Sequence, residues 1–185
     1  MSTMAFPCEL ILGGQKSGKS ARAERLAATW VTQAPGRRCV MLATGMALDD
    51  EMRTRIARHQ SDRSNRVPAL ATSEVPYLLA AALSKHSDAD TLVVVDCLTM
   101  WLTNWLMPAQ AAPEGWPGER TAFLQALSRR AGPVVLVGNE IGLGVVPLQR
   151  GVRGFVDALG SFNQEVAQVC THVTLMAAGL PLSLK

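Results

Sequence analysis

The sequence predicts an α/β fold: a single domain over residues 1–185, with a mostly parallel sheet and helices on both faces. Three observations carry this expectation. Short apolar runs of strand length alternate with stretches whose apolar residues recur at helical spacing. A glycine-rich loop, Gly13-Gly14-Gln15-Lys16-Ser17-Gly18-Lys19-Ser20, joins the first such run to the first helical stretch. The run Thr91-Leu92-Val93-Val94-Val95-Asp96 is apolar on both faces, as a strand inside a parallel sheet must be. A chain of 185 residues with 48% hydrophobic and 18% charged residues has the size and composition of one well-packed domain.

Glu9 to Leu12 reads as the first strand. Beyond Ser20, the apolar residues Ala23, Leu26, Ala27, Trp30 and Val31 fall on one face of a helix. Cys39 to Thr44 is the second strand. Asp49 and Asp50 then open a helix, since carboxylates suit a first turn, and this helix is expected to run to about His59. Thr91 to Asp96 is the third strand, followed by a helix on Leu98, Trp101, Leu102, Trp105 and Leu106. Pro133 to Gly138 and Val173 to Ala177 supply a fourth and a fifth. Between them Val152, Phe155, Val156, Leu159, Phe162, Val166 and Val169 line one face of a long helix. Arg63 to Ser73 has no clear period, and Pro108 to Gly118 holds three prolines and two glycines; both read as loops.

The charge of +3 is mild, and the basic residues are scattered, which argues against a nucleic-acid surface. No stretch approaches the roughly 20 apolar residues of a membrane span, and Met1 to Pro7 lacks the pattern of a secretory signal. Cys8, Cys39, Cys97 and Cys170 are far apart in sequence and are expected to be free thiols in a reducing compartment, which points to the cytoplasm. His86 and His172 read as structural residues.

The pattern G-x-x-x-x-G-K-S, after a strand and before a helix, is the P-loop of nucleoside-triphosphate enzymes. Gly13, Gly14 and Gly18 allow a tight turn that aims backbone amides at phosphate oxygens. Lys19 brings a mobile positive charge to the β- and γ-phosphates. Ser20 is expected to bind Mg²⁺ and to cap the following helix, whose N-terminus favours anions. Asp96, closing an apolar strand, stands where P-loop enzymes orient Mg²⁺. The fold expectation is therefore a RecA-like P-loop NTPase domain. Such a loop reads phosphates and not bases, so both ATP and GTP remain candidate donors.

The segment from Asp49 to Arg63 is dense in functional groups. At helical spacing Met52, Ile56 and His59 share one side, with Arg55 adjoining. A histidine at this spacing is more often structural than catalytic. Yet Arg55, Arg58 and Arg63 surround it with positive charge, which favours the neutral, nucleophilic imidazole and suits charge developing on a phosphorus under attack. Spacing alone leaves its role open.

Taken together, these segments resemble the bifunctional adenosylcobinamide kinase / adenosylcobinamide-phosphate guanylyltransferases of cobalamin biosynthesis. The resemblance covers nearly the whole chain. It rests on the early P-loop, on Ala43-Thr44-Gly45, and on Leu48-Asp49-Asp50-Glu51-Met52 followed by Arg55-Ile56 and His59. It continues through Asp96-Cys97-Leu98-Thr99-Met100-Trp101-Leu102-Thr103-Asn104, Asn139-Glu140-Ile141-Gly142-Leu143-Gly144-Val145-Val146-Pro147, Arg150 and Asn163-Gln164. It implies two reactions: phosphorylation of the aminopropanol hydroxyl of adenosylcobinamide, then transfer of GMP from GTP through a GMP-histidine to give adenosylcobinamide-GDP. The nucleotide-accepting histidine falls on His59. GTP-holding residues fall on Gly13 to Ser20, Thr44, Gly45 and Met46, on Gln60, Ser61, Asp62 and Arg63, and on Glu74 and Asp96. The resemblance also implies a homo-oligomer, a trimer, and Trp101, Trp105, Trp116 and the apolar helix from Leu98 to Met107 read as more bulk than one small domain buries.

The chain departs from the family's pattern in four places, one of them the variable loop from Pro108 to Gly118. Arg58 stands where some relatives carry a second histidine, Asp96 where some carry Glu, and the stretch from Arg63 to Glu74 is longer than usual. Two other readings exist. A plain P-loop kinase leaves His59 and its arginines without a task, and a RecA-like motor or switch would more often carry a basic surface or a partner-binding extension.

Overall fold

The computed structural model describes residues 6–109 and 111–185; the side chains at positions 55, 59 and 62–65 lie outside that description. Seven strands, β1 (Cys8–Gly13), β2 (Arg38–Ala43), β3 (Leu70–Glu74), β4 (Thr91–Asp96), β5 (Val134–Val137), β6 (His172–Ala177) and β7 (Leu180–Ser183), form one sheet in the order β3-β2-β4-β5-β1-β6-β7. All neighbouring pairs are parallel except β6–β7. Six helices connect them: α1 (Lys19–Gln33), α2 (Asp50–Arg66), α3 (Leu79–His86), α4 (Leu98–Leu106), α5 (Trp116–Ser128) and α6 (Arg150–Val169).

Side-chain alternation divides the core between the two faces of the sheet. On one face Leu10, Leu12, Val40, Leu42, Val93, Val95 and Leu136 pack under Leu79, Trp101, Phe123 and Phe162 of α3 to α6. On the other Ile11, Met41, Val94, Val135 and Val137 meet Ala23 and Ala27 of α1 and Val67 beyond α2. The strands are therefore covered on both sides, which explains why β4 and β5 read as continuous apolar runs.

The five expected strands and the helices on α1, α4 and α6 are all present. The structure adds β3, α3, α5 and β7, and carries α2 seven residues past His59, so the first expected loop is largely ordered, whereas the described residues of the second stay irregular up to Gly115. Much of 63–73 is the end of α2 and the start of β3, and 116–118 is the first turn of α5. Each addition has a weak sequence signal. In β3 only Leu70 is fully buried, α3 has eight residues, α5 begins with Trp-Pro-Gly, and β7 is wholly exposed.

These additions change the account of the tryptophans. Trp101 is fully buried, Trp105 nearly so, and Trp116 packs against both at ring-centroid separations of 5.1 and 5.9 Å. Phe123 of α5 and Phe162 of α6 complete the cluster, at 5.1 and 5.7 Å from Trp101. The expectation of excess aromatic bulk is thus corrected: α5, which the sequence reading lacked, covers it within the chain. Edge-on and tilted pairs of this kind add about 0.5–1.5 kcal/mol each beyond their burial.

All four cysteines are free. The thiols of Cys8 and Cys170, 162 residues apart in sequence, share a hydrogen bond of 3.2 Å beneath the sheet. Among the described residues no helix is long and apolar enough to cross a membrane.

Candidate active site

The expected nucleotide residues collect at the carboxyl ends of the parallel strands. β1 ends in Gly13, whose φ of 149° lies outside the range side chains favour; a Cβ there would stand 2.5 Å from the Met176 carbonyl oxygen and 2.7 Å from Ser17 Oγ. Gly18, with φ of 101°, turns the chain into α1 against Gly179, where a Cβ would meet Cα at 3.2 Å. Only glycine fits either place. Gly14, Gln15 and Lys16 form the exposed crest of the loop. Backbone bonds brace its base: Glu140 N–H donates to Gly13 O at 3.1 Å, and Gly179 N–H to Ser17 O at 3.0 Å.

Inside this cradle Ser17 Oγ is buried and finds no hydrogen-bond partner among the described residues. An orphaned buried hydroxyl costs about 1–3 kcal/mol, so its presence beside a ring of glycines fits a loop that closes on an anion. Lys19 is largely buried and its Nζ donates to Gly14 O at 2.7 Å, which holds the ammonium over the loop. Ser20 does not cap α1: the N-cap is Gly18, with no side-chain bond, and Ser20 already lies within the first turn. Its Oγ instead donates to Asp96 Oδ2 at 3.1 Å. A hydroxyl and a carboxylate at this distance, next to a phosphate cradle, suit Mg²⁺, which takes few protein oxygens and keeps water and phosphate ligands.

Asp96 ends β4, level with Ala43 of β2 and Val137 of β5. The Asp96–Cys97 peptide is cis. Burial and the neighbouring Asp96 carboxylate push the Cys97 thiol up to about 12, so it stays protonated, and its sulfur accepts from Met100 N–H at the start of α4.

Thr44 was expected to touch the nucleotide, but its polar groups are occupied within the protein. Its N–H donates to Asp96 O at 3.1 Å, and its hydroxyl donates to Cys97 O at 2.7 Å while accepting from Cys97 N–H at 2.9 Å. Its carbonyl accepts from Asn104 Nδ2 at 2.8 Å. Thr44 is a strut between the loops after β2 and β4, which leaves Gly45 and Met46, both half-buried, to face outward. Asn104 also donates to Pro76 O at 2.9 Å, and Thr99 Oγ1 accepts from Asn139 N–H at 2.8 Å. These two α4 residues hold the loops after β2, β3 and β5 in place. Sequence reasoning missed them as site residues, although buried polar residues in an apolar helix (Thr99 and Asn104 beside Leu98, Trp101, Leu102 and Trp105) are the available signal.

Glu74 is the last residue of β3, exposed and paired in register with Ala43, so it sits on the same strand-end edge as Asp96. Asp49 caps the start of α2, its Oδ1 accepting from Met52 N–H at 2.6 Å. Gln60 and Ser61 lie on the exposed surface of α2. The expectations for His59, Asp62 and Arg63, and for Arg55 beside them, concern side chains outside the described residues; their backbone belongs to α2. His86 ends α3, and His172 opens β6 with Nδ1 at 2.9 Å from Thr171 Oγ1.

A phosphate cradle on the first strand–helix turn, with a hydroxyl–carboxylate pair at the end of a neighbouring strand, defines a P-loop nucleotide enzyme. Comparison with known proteins narrows the class. The family model described as cobinamide kinase / cobinamide phosphate guanyltransferase matches residues 9–184, and the chain belongs to that family of enzymes. It is 45% identical over 177 residues to the bifunctional adenosylcobalamin biosynthesis protein CobP of Pseudomonas aeruginosa, covering 96% of each chain. It is 33% identical over 188 residues to the corresponding protein CobU of Salmonella typhimurium, covering 95% of this chain and 98% of that one. Among solved structures, the flagellar accessory protein FlaH of Methanocaldococcus jannaschii superposes with a TM-score of 0.53 at 13% identity, covering 98% of this chain and 80% of that one. That likeness concerns the fold alone.

Proposed function

We propose that this chain performs both reactions for which its family is named: phosphorylation of the aminopropanol hydroxyl of adenosylcobinamide by ATP or GTP, then transfer of GMP from GTP to the resulting phosphate, giving adenosylcobinamide-GDP. The observation that carries the reading is the convergence of Ser20 Oγ and Asp96 Oδ2 beside a glycine cradle with a buried, unpartnered Ser17 hydroxyl.

In the first reaction the amides of Gly13 to Ser20 and the Lys19 ammonium bind the triphosphate, and the substrate hydroxyl oxygen bonds to the γ-phosphorus as the bond to the β-bridging oxygen breaks and the hydroxyl proton passes to water. Charge grows on the bridging and γ-oxygens in that step, so fixed donors aimed at them lower the barrier. Mg²⁺, held by Ser20 and Asp96, would supply further neutralisation of the phosphate charge. In the second reaction a ring nitrogen of His59 bonds to the α-phosphorus of GTP and pyrophosphate leaves. The cobinamide phosphate oxygen then displaces the histidine, so one difficult transfer becomes two in-line steps. Gly45, Met46, Gln60, Ser61, Asp62, Arg63 and Glu74 are assigned to holding the nucleotide, and Thr44 to supporting them.

The reading extends to a single domain over residues 1–185 that works as a homo-oligomer, a trimer, in the cytoplasm. Four free thiols support the compartment. An uncovered apolar segment, where Leu143, Val145, Val146 and Leu148 are exposed (Val145 at 96%), supports assembly.

The test is incubation with GTP followed by mass spectrometry of the intact and digested protein. A GMP adduct is expected on His59. His59→Ala is expected to take up no GMP and to lose guanylyl transfer, while cobinamide phosphorylation persists in part, because direct transfer from a P-loop triphosphate needs no covalent stop. GMP attached to His59→Ala would show that another group is the nucleophile.

A further inference from the structure

Of the described side chains of α2, none is buried; only Met52 and Ile56 are half-covered. A helix so polar on all sides needs other means of fixing its place. At its far end it has one. Glu24, in the second turn of α1, is a carboxylate at 3% exposure, and Arg66, the last residue of α2, donates from Nη1 to its Oε2 at 2.7 Å. The two partners differ sharply: the Arg66 side chain is 53% exposed, while that of Glu24 is 4% exposed. Carboxylates are almost never so buried unless paired, and removing the partner of a buried charge is far more costly than breaking a surface pair.

The geometry points to a positioning role for this pair in the guanylyl step. Glu24 lies one turn after Ser20 on the same face of α1, and position 59 lies two turns before Arg66 on the same face of α2. Both helices leave the carboxyl edge of a parallel sheet and return to its amino edge, so they run in the same direction. At 1.5 Å per residue, Glu24 is about 7.5 Å along α1 from Lys19, and position 59 is about 10.5 Å back along α2 from Arg66. The difference is about 3 Å. Clamping Arg66 to Glu24 therefore sets position 59 level with the P-loop lysine, to within one helical turn. Val67, buried against Ala23 and Ala27 of α1, anchors the chain just beyond the clamp. We propose that the Glu24–Arg66 ion pair fixes the register of α2 against α1 and so places the nucleophile at the α-phosphorus. This rests on the assignment of His59 as that nucleophile. Neither Glu24 nor Arg66 touches the reacting atoms in this account; they act through α2.

The two half-reactions separate such a role from a general loss of structure, since both use the P-loop and only guanylylation uses the proposed nucleophile at position 59 of α2. Glu24→Gln, which keeps shape and removes charge, is expected to slow attachment of α-labelled GMP from GTP by about 10-fold or more, as a misplaced reacting group does. Cobinamide phosphorylation by ATP should stay within about twofold of the parent, in keeping with a role confined to α2. Arg66→Met should behave alike, and the double variant should be no slower than the slower single, because both remove one interaction. Arg66→Lys, which restores a cation, should recover most of the rate. Equal slowing of both reactions, or an unchanged GMP attachment rate, overturns the proposal; should Glu24→Gln fail to fold by circular dichroism, Arg66→Met carries the same comparison. His59→Ala, assayed alongside, keeps the two claims apart. If it still takes up GMP, the nucleophile assignment fails. If it does not, while Glu24→Gln labels at the parent rate, the clamp alone is refuted.

Discussion

Asn104→Asp is a perturbation whose size can be worked from the structure. Asn104 is 3% exposed, and its amide donates two hydrogen bonds, to Thr44 O at 2.8 Å and Pro76 O at 2.9 Å. The substitution keeps the shape but turns both donors into acceptors facing two carbonyl oxygens. Each buried partner left unsatisfied costs about 1–3 kcal/mol, which gives about 2–6 kcal/mol for the pair. For a chain of this size each kcal/mol lowers Tm by about 2–4 °C, so the fall should be about 4–24 °C at neutral pH. The pH dependence has a definite sign. Burial and the facing carbonyls disfavour the charged form, so the introduced carboxyl has its folded-state pKa raised above the unfolded value of about 3.9. When protonated it donates one hydrogen bond again. The loss should therefore be smallest at low pH and grow as pH rises through the folded-state pKa. Thermal denaturation of variant and parent at pH 5 and pH 8 measures this. A Tm within about 2 °C of the parent at pH 8 would refute the argument that Asn104 ties the β2 and β3 loops together, and a loss larger at pH 5 than at pH 8 would refute its electrostatic half.

Two further substitutions probe the cradle. Lys19→Ala should lower both half-reactions by about 10² or more while leaving Tm near the parent value, since each transfer loses a charge directed at phosphate oxygens; full kinase activity would show that the loop is not the phosphate site. Asp96→Asn keeps the size but removes the charge beside Ser20 Oγ, so activity should fall and recover only at higher Mg²⁺; an unchanged magnesium titration would reduce Asp96 to a turn residue.

The parts of this molecule that were legible in the sequence are those where one local rule dominates. Leu10, Ile11 and Leu12 form a strand because both faces are covered, and Gly13 and Gly18 mark turns no other residue can make. Where two rules compete, the sequence misleads. Pro117 and Gly118 read as loop, yet proline suits the first turn of a helix, and Gly115 supplies the left-handed residue before it. Trp116 and Phe123 then become the cover for Trp101, so the missed helix removes the tryptophans as an argument for assembly and leaves the assembly itself untouched. Ser20 illustrates the same limit within the site. Serine before a helix suggests a cap, but the glycine at position 18 takes that place, and the hydroxyl is left for Asp96. Thr44 and Asn104 could not be assigned from spacing, because their roles depend on which strand lies beside β2.

The arrangement divides the site into two halves of different physical character. The cradle half is over-determined: Gly13, Gly18, Ser17 and Asp96 are fixed by the close approach of Met176 and Gly179 and by the bonds of Thr44, Thr99 and Asn104. The α2 half has no buried side chain among those described, and the contacts of those residues include a cap at Asp49, the Asp50–Arg53 pair in its first turn, and the clamp at Arg66. Elements held by few buried apolar contacts open at lower free energy than the core. A site performing two transfers needs this contrast. In the proposed mechanism the triphosphate is held in one place for displacement at either phosphorus, whereas the group proposed to attack the α-phosphorus is needed for one transfer only. In the proposed function, phosphate binding is built on backbone anchored at the end of β1, and the nucleophile is carried on α2, a helix with no buried side chain among those described. Substitutions that loosen α2 are therefore expected to slow GMP attachment more than cobinamide phosphorylation, because the proposed nucleophile on α2 serves only the guanylyl step.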